Sequence, residues 1–299
     1  MRVAVSGASG LIGSALTASL RADGADVARL VRRAPSAPDE IGWDPGPGGA
    51  GLDPAALRGV DAVVHLSGAP IAEGRWTQAR KAMLRASRID STAALVRAMT
   101  AADPPPQVLL CGSAIGYYGE TGDRLVDETA PQGAGFLAEL VGEWEQAAQA
   151  ATPAGIRVAQ LRSGVVLAVG GGMLGRLLRP FRLGLGAKVG SGRQYLSWIS
   201  ITDEVGAIRF LLDSGDAGGP FNLTAPHPVT NAEFTRALAD ALGRPAALAL
   251  PSPVLRAALG EVASELLASA RVRPARLTQA GYRFEYPDLV SALGALLAR

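Results

Sequence analysis

Three glycines near the start of the chain constrain its fold more than any other feature. Gly7, Gly10 and Gly13 follow the apolar run 3–5 and open a helical pattern that begins at Leu11. In a strand–turn–helix unit, such glycines permit a tight turn, the approach of a pyrophosphate, and close packing of helix on strand. The free N–H groups of the first helical turn then face the anion. The spacing predicts a dinucleotide-binding turn, and a glycine-rich turn without a ligand is the alternative. The residues predicted to bind the cofactor here are Gly7, Ser9, Gly10, Leu11, Ile12 and Gly13.

The end of the second predicted strand bears on which dinucleotide is bound. Residues 25–31 form this strand, and Arg32 and Arg33 follow it with no acidic residue before Asp39. An acid at this place hydrogen-bonds the ribose 2′-hydroxyl of NAD, whereas arginine suits the 2′-phosphate of NADP. We therefore expect NADP(H) rather than NAD(H), held by both arginines. The alternative is that both side chains are merely solvated.

The third predicted strand, within residues 61–69, ends in small residues. Leu66, Ser67 and Gly68 form a turn that lets the backbone lie against the cofactor, so we expect them to line its path. His65, between two apolar neighbours in this strand, is expected to have a structural partner.

The fourth predicted strand, residues 107–111, leads to a serine and two tyrosines. Ser113 comes directly after it, and Tyr117 and Tyr118 lie on a loop with glycines on both sides. In a doubly wound sheet, ligands bind at the carboxyl ends of the strands. These three residues are therefore the catalytic candidates, and a packing role for the tyrosines is an equal alternative.

Strand-like and helical segments alternate through the first half of the chain, which predicts an α/β fold: a Rossmann-like, doubly wound parallel sheet. We expect a smaller, mostly helical C-terminal lobe. The predicted NADP-binding domain is 1–167, with 196–225 returning to it, and the substrate lobe is 168–195 with 226–299. Other predicted elements are a loop or short hairpin over 35–54, helices over 76–99 and 136–151, and strands over 156–162 and 193–201.

Composition excludes several classes of protein. The chain has 299 residues, a net charge of +2, one cysteine and two histidines. One cysteine excludes an internal disulfide, and two histidines make a histidine-based metal centre improbable. The small net charge gives no reason to expect nucleic acid or an acidic membrane as a partner. Without a membrane-length apolar run or a secretory leader, we expect a cytoplasmic protein.

Five motifs together resemble the extended short-chain dehydrogenase/reductase superfamily, and more narrowly an atypical branch of "epimerase family proteins". Some members of that branch carry a cell-division-inhibitor label. The resemblance spans nearly the whole chain. The motifs are SGASGLIG at 6–13, GSAIGYYG at 112–119, GSGRQYLSWI at 190–199, GPFNLTAP at 219–226, and the tail with Arg271, Pro274 and Gly281.

The resemblance implies a catalytic serine, matched by Ser113, and a Tyr-x-x-x-Lys pair on the next helix. In that pair the lysine charge activates the tyrosine as proton donor. The corresponding positions are Phe136 and Leu140, and Tyr-x-x-x-Lys occurs nowhere in the chain. Another group must therefore handle the proton, and Tyr117 or Tyr118 is the nearest candidate by motif.

A second departure from the superfamily bears on the substrate. Related epimerases carry an arginine that binds the sugar-nucleotide diphosphate at the position of Leu196. Arg193 lies three residues earlier, and Tyr195 offers an aromatic surface. We take both as substrate-binding candidates. The simpler inference is that the ligand is not an ordinary UDP- or dTDP-sugar.

These observations leave two hypotheses for function. One is an NADP(H)-dependent oxidoreductase or epimerase-like enzyme of a small carbonyl or hydroxyl substrate. The other is a non-catalytic dinucleotide-binding scaffold or sensor that acts through a protein partner, which the missing Tyr–Lys pair favours. The retained serine and tyrosines favour the enzyme. A homodimer is compatible with either hypothesis.

Overall fold

A computed structural model of the chain describes residues 1–46 and 48–298, so Pro47 of the predicted loop and Arg299 of the tail lie outside the described residues. Its centre is a seven-stranded sheet in which every neighbouring pair is parallel. The predicted Rossmann-like fold is confirmed. The strands of this sheet are β1 (Arg2–Ser6), β2 (Asp26–Val31), β3 (Glu40–Gly42), β4 (Ala62–His65), β5 (Val108–Ala114), β6 (Arg157–Ser163) and, later in the chain, β11 (Gly219–Leu223).

The strand order is β11-β6-β5-β4-β1-β2-β3. The chain runs outward from β1 through β2 and β3, then returns to the other side of β1 with β4. The order therefore reverses between β1 and β4, and this is the place where open parallel sheets bind ligands.

Helices cover both faces of the sheet, and each face has its own apolar core. Parallel strands covered on both faces become nearly continuous apolar runs. Accordingly β1 is buried from Val3 to Ser6 and β4 along its whole length. The helices of this region are α1 (Leu11–Ala22), α2 (Gln78–Arg85), α3 (Ser91–Ala101), α4 (Phe136–Gln149) and, later in the chain, α6 (Ile201–Asp213).

The second lobe has a separate apolar core formed chiefly by helices. Three pairs of short strands lie at its edges: β7 with β10, β9 with β12, and β8 with β13. The short strands are β7 (Val165–Ala168), β8 (Ala187–Val189), β9 (Tyr195–Leu196), β10 (Trp198–Ser200), β12 (Val229–Thr230) and β13 (Leu248–Leu250). The helices are α5 (Gly172–Arg182), α7 (Asn231–Leu242), α8 (Ser252–Leu259), α9 (Val262–Leu267), α10 (Ala275–Gln279) and α11 (Leu289–Leu297).

Three predicted elements differ in the structure. The single helix predicted over 76–99 is two helices joined by a π-helical turn, Ala86–Asp90. Side-chain hydroxyls there bond main-chain carbonyls, Ser87 to Leu84 and Ser91 to Ser87, and such bonds compete with the helical ladder. The segment predicted as a loop or short hairpin over 35–54 has an antiparallel bridge between Asp44 and Gly51, and it also contains β3, which forms the edge of the main sheet.

The single strand predicted over 193–201 is also wrong, because β9 and β10 pair with different partners. Ser197 separates them, and its hydroxyl donates to the carbonyl of Ala270 and accepts from the N–H of Val272. A tertiary contact with the C-terminal segment thus divides the run.

Candidate functional site

The glycine turn follows β1 at the point where the strand order reverses. Gly7 has a φ of +68°, and a Cβ on it would lie 2.7 Å from the carbonyl oxygen of Leu66. A Cβ on Gly13 would lie 2.2 Å from the carbonyl oxygen of Gly7. At both positions the protein's own backbone therefore requires glycine. The same contacts place the predicted Leu66–Gly68 stretch directly against the turn.

Gly10 is glycine for a different reason. The nearest atom to a Cβ built there is the carbonyl oxygen of Gly7 at 3.2 Å, and the residue is exposed. It is also the N-cap of α1, which has no side-chain cap and no acidic residue in its first turn. Exposed space beside uncapped helix N–H groups fits the phosphates of a dinucleotide. Ser9 is exposed at the same edge.

The second lobe also reaches this turn. A Cβ on Gly171 or Gly172, at the start of α5, would lie 3.2 Å from a methyl group of Leu11. The glycines of that loop therefore allow its backbone to lie close to the N-terminus of α1. Residues of both lobes therefore lie beside the turn.

His65, at the carboxyl end of β4, is fully buried, and its Nδ1 lies 2.6 Å from the hydroxyl of Ser6. Burial lowers its pKa to about 4, so the ring is neutral at physiological pH. The predicted structural partner is confirmed.

Arg32 and Arg33 have different surroundings. Arg33 donates to both carboxylate oxygens of Glu40, over 2.8 and 2.5 Å, and to the hydroxyl of Ser36. This ion pair holds the pKa of Glu40 at about 2. Arg32 is exposed, and its side chain has no ion pair or hydrogen bond within residues 1–46 and 48–298. Of the two, Arg32 is therefore the side chain able to meet a 2′-phosphate without breaking an existing contact.

Ser113 lies within β5, at its carboxyl end, and is almost fully buried. Its hydroxyl donates to Oε1 of Glu145 on α4 over 2.6 Å. Arg162 of β6, the register partner of Ser113, donates to both oxygens of Glu145 over 2.7 and 2.8 Å. Although burial alone would lower it, the Glu145 carboxylate holds the pKa of Arg162 above its usual value.

The two tyrosines, on a single 3₁₀ turn, face different surroundings. Tyr118 is buried; its hydroxyl accepts from Arg162 over 2.9 Å and donates to Oδ1 of Asn222 over 2.7 Å. Burial raises the pKa of Tyr118 to about 12. Tyr117 is half-buried, with the Arg162 guanidinium 3.5 Å from the centre of its ring. Within the described part of the chain, no side chain or backbone group bonds the Tyr117 hydroxyl.

A second serine–glutamate pair lies at the end of the neighbouring strand. Ser163 pairs with Ala114 in the sheet and donates to Oε1 of Glu204 over 2.5 Å. Glu204 is fully buried, which raises its pKa to about 8, and its Oε2 has no hydrogen-bond partner in residues 1–46 and 48–298.

The positions implied for the Tyr–Lys pair are apolar packing positions. Phe136 and Leu140 pack with Trp76 and with Val262 of α9. The ammonium group of Lys81 lies 5.0 Å from the centre of the Phe136 ring and forms an ion pair with Glu261. The C-terminal segment thus packs against the two positions at which the resemblance implies a Tyr–Lys pair.

The two substrate-binding candidates lie farther along the chain. Tyr195 is half-buried, with the guanidinium of Arg271 4.6 Å from its ring centre and its N–H bonded to Ser269. Arg193 is exposed. These contacts of Tyr195 are with the C-terminal segment. The substrate-binding role predicted for Arg193 and Tyr195 stays a prediction.

Sequence reasoning missed Glu145, Arg162 and Asn222, which link Ser113 to Tyr118. A signal was present for two of them. Arg162 is a charged residue at the end of an apolar strand, and Glu145 lies on a helix face with the buried Val141 and Ala148. Charged residues in such places are almost always paired.

The described residues contain neither a metal-ligating cluster nor a helix able to span a membrane. In residues 1–46 and 48–298, there is no group of three or more histidine, cysteine, aspartate or glutamate side chains able to hold a metal ion. In the same residues, every helix is too short or too polar to cross a membrane.

Comparison with known proteins matches two family models. Residues 3–224 match the NAD dependent epimerase/dehydratase family, and residues 250–296 match a domain of unknown function, DUF1731. The epimerase family protein Mb2239 of Mycobacterium bovis is 51% identical over 298 residues, covering 99% of this chain and 98% of that protein. The bovine epimerase family protein SDR39U1 is 42% identical and covers 100% of both chains. The crystal structure of human epimerase family protein SDR39U1 (isoform 2) with NADPH is similar, with a TM-score of 0.92, 37% identity, and coverage of 100% of this chain and 99% of that one.

Proposed function

Because the chain belongs to the NAD dependent epimerase/dehydratase family, we propose that it is an NADP(H)-binding oxidoreductase or epimerase-like enzyme of a small carbonyl or hydroxyl substrate. The observation that carries the proposal is the exposed space over Gly10, beside uncapped N–H groups and at the reversal of strand order. That arrangement is suited to a pyrophosphate.

We assign the cofactor to residues on both sides of the turn. The N–H groups at the start of α1 would bind the pyrophosphate, and the Leu66–Gly68 backbone would line its path. Arg32 would bind the 2′-phosphate, while Arg33 would hold Glu40 away from it. The human relative crystallised with NADPH supports NADP(H) over NAD(H).

When bound, the nicotinamide would supply or accept a hydride. Ser113 would bind the reacting oxygen of the substrate. Tyr117 is the better candidate for the proton, since its hydroxyl has no partner in the described residues, whereas that of Tyr118 bonds Arg162 and Asn222. A positioned proton donor contributes about 10²–10⁴-fold to such a rate.

Calorimetry and absorbance test the proposal. Titration with NADP⁺ and NAD⁺ should show tighter binding of NADP⁺. Absorbance of NADPH at 340 nm should fall on addition of at least one member of a carbonyl panel, and Tyr117→Phe should slow that loss about 100-fold or more. Binding of neither dinucleotide at millimolar concentration would refute the cofactor assignment.

A second function, a dinucleotide-binding scaffold for a protein partner, has one specific observation in its favour. Phe136 and Leu140 are packed under α9, so the ordinary proton-transfer position is filled with apolar side chains. Tight NADPH binding without turnover of any carbonyl, and with the same affinity in Ser113→Ala, would support this function instead.

A further inference from the structure

Glu145 and Arg162 are not used by the function proposed above, although they fix the surroundings of Ser113. We propose that Glu145 is a positioning residue that sets the direction of the Ser113 hydrogen bond, so that the site takes a ligand with a hydroxyl at the reacting position in preference to the matching carbonyl. This inference rests on the proposed function and narrows its substrate class.

The direction follows from the hydrogen bonds. Both oxygens of Glu145 accept from Arg162, over 2.7 and 2.8 Å, so the carboxylate acts as an acceptor. A hydroxyl has one proton, and that of Ser113 points to Oε1 of Glu145 over 2.6 Å. The oxygen of Ser113 can therefore only accept from a ligand. An alcohol has a proton to donate to it, whereas a ketone does not.

The rest of the network prevents this direction from reversing. A guanidinium has donors only, so Arg162 cannot accept from Glu145 or from Tyr118. The Tyr118 hydroxyl accepts from Arg162 and donates to Oδ1 of Asn222, whose Nδ2 donates to the carbonyl oxygen of Arg273. The Tyr118 branch is thus fixed by the donor-only guanidinium of Arg162 at one end and by the backbone carbonyl of Arg273 at the other, and the same guanidinium keeps Glu145 an acceptor.

In the superfamily pattern, the serine assists a tyrosine–lysine pair. Here the Ser113 hydroxyl donates its hydrogen bond to Glu145 of α4, which forms an ion pair with Arg162 of β6. Turning the Ser113 hydroxyl toward a ketone would give up a hydrogen bond to a charged group, which disfavours the ketone by about tenfold or more.

Matched alcohol and ketone probes test this directly. Binding of cyclohexanol and cyclohexanone, and of 2-butanol and 2-butanone, would be measured by ligand-observed NMR on the full chain, with and without NADP⁺. For the wild type we expect each alcohol to bind about tenfold more tightly than its ketone. Ser113→Ala and Glu145→Gln should both bring that ratio close to one, because a glutamine side chain can donate as well as accept.

Glu143→Gln is the matched control. Glu143 lies on the same helix, is half-buried, and forms an ion pair with Arg85, so its variant should keep the wild-type ratio. An unchanged ratio in a folded Glu145→Gln would overturn the positioning role of Glu145. If Glu145→Gln does not fold, Ser113→Ala still tests whether the serine hydroxyl carries the preference on which the inference depends. Equal binding of alcohol and ketone by the wild type, or an unchanged ratio in Ser113→Ala, would overturn the inference. If the wild type binds each alcohol more tightly than its ketone but shows no hydride transfer, only the oxidoreductase function is refuted.

Discussion

Gly10 and Gly13 are separated by less than one helical turn, yet the structure predicts opposite outcomes when each is replaced by alanine. A methyl group on Gly13 would lie 2.2 Å from the Gly7 oxygen, with further backbone atoms at 2.8 and 2.9 Å. Backbone cannot move aside as a side chain can, so we expect overpacking to cost on the order of 3 kcal/mol. For a chain of this size, the melting temperature should fall by roughly 5–10 °C.

A methyl group on Gly10 meets only one protein atom, at 3.2 Å. The backbone there is extended, with a φ of −76°, which alanine adopts without strain. Alanine is a poorer N-cap than glycine, at a cost of about 1 kcal/mol, or roughly 2–4 °C. The same methyl group would occupy the space assigned to the pyrophosphate. Loss of one or two charge-assisted hydrogen bonds, about 2–3 kcal/mol, should weaken NADP⁺ binding about 30- to 150-fold.

The assay is a thermal melt of each variant together with calorimetric titration of NADP⁺. Gly10→Ala should keep its fold and lose affinity, whereas Gly13→Ala should lose stability first. Wild-type affinity in a folded Gly10→Ala would refute the placement of the phosphate site. A Gly13→Ala variant as stable as the wild type would refute the packing argument.

Three further predictions follow from single side chains. In calorimetry, Arg32→Ala should weaken NADP⁺ binding more than NAD⁺ binding. Arg33→Ala should have the same effect, because it frees the Glu40 carboxylate to turn toward the 2′-phosphate. An equal loss of affinity for both cofactors would contradict the assignment. The pKa of His65 is about 4 in the folded protein, below its unfolded value of about 6.5, so the stabilising contribution of the neutral ring is lost as pH falls below about 6.5. Between pH 8 and pH 5, the free energy of unfolding of the wild type should fall by about 2 kcal/mol relative to that of His65→Asn, as measured by denaturant melts. The pKa of Glu204 is raised to about 8 in the folded protein, so the contribution of its protonated form to stability is lost as pH rises from about 4.5 to 8. At pH 7.5, Glu204→Gln should be more stable than the wild type by on the order of 3 kcal/mol. A difference in unfolding free energy that does not change with pH would refute this.

Local sequence determined the glycine turn. The positive φ of Gly7 and the contact of Gly13 with the Gly7 oxygen involve residues a few positions apart, and the strand–helix context of the motif is itself local. Only the contact of Gly7 with Leu66 required the tertiary structure. The capping box at the start of α7 is equally local, because its two members, Thr230 and Glu233, are three residues apart. The alternation of apolar strands with helices along the sequence was sufficient to predict the parallel sheet.

Only the tertiary structure decided the surroundings of the serine and the tyrosines. Glu145 is 32 residues from Ser113, and Asn222 is 104 residues from Tyr118, so no spacing rule connects them. Neighbouring tyrosines with the same local sequence also received opposite surroundings, because Arg162 bonds the hydroxyl of one and covers the ring of the other. Periodicity reports which residues are buried, whereas the direction of a hydrogen bond depends on which donors and acceptors long-range packing brings together.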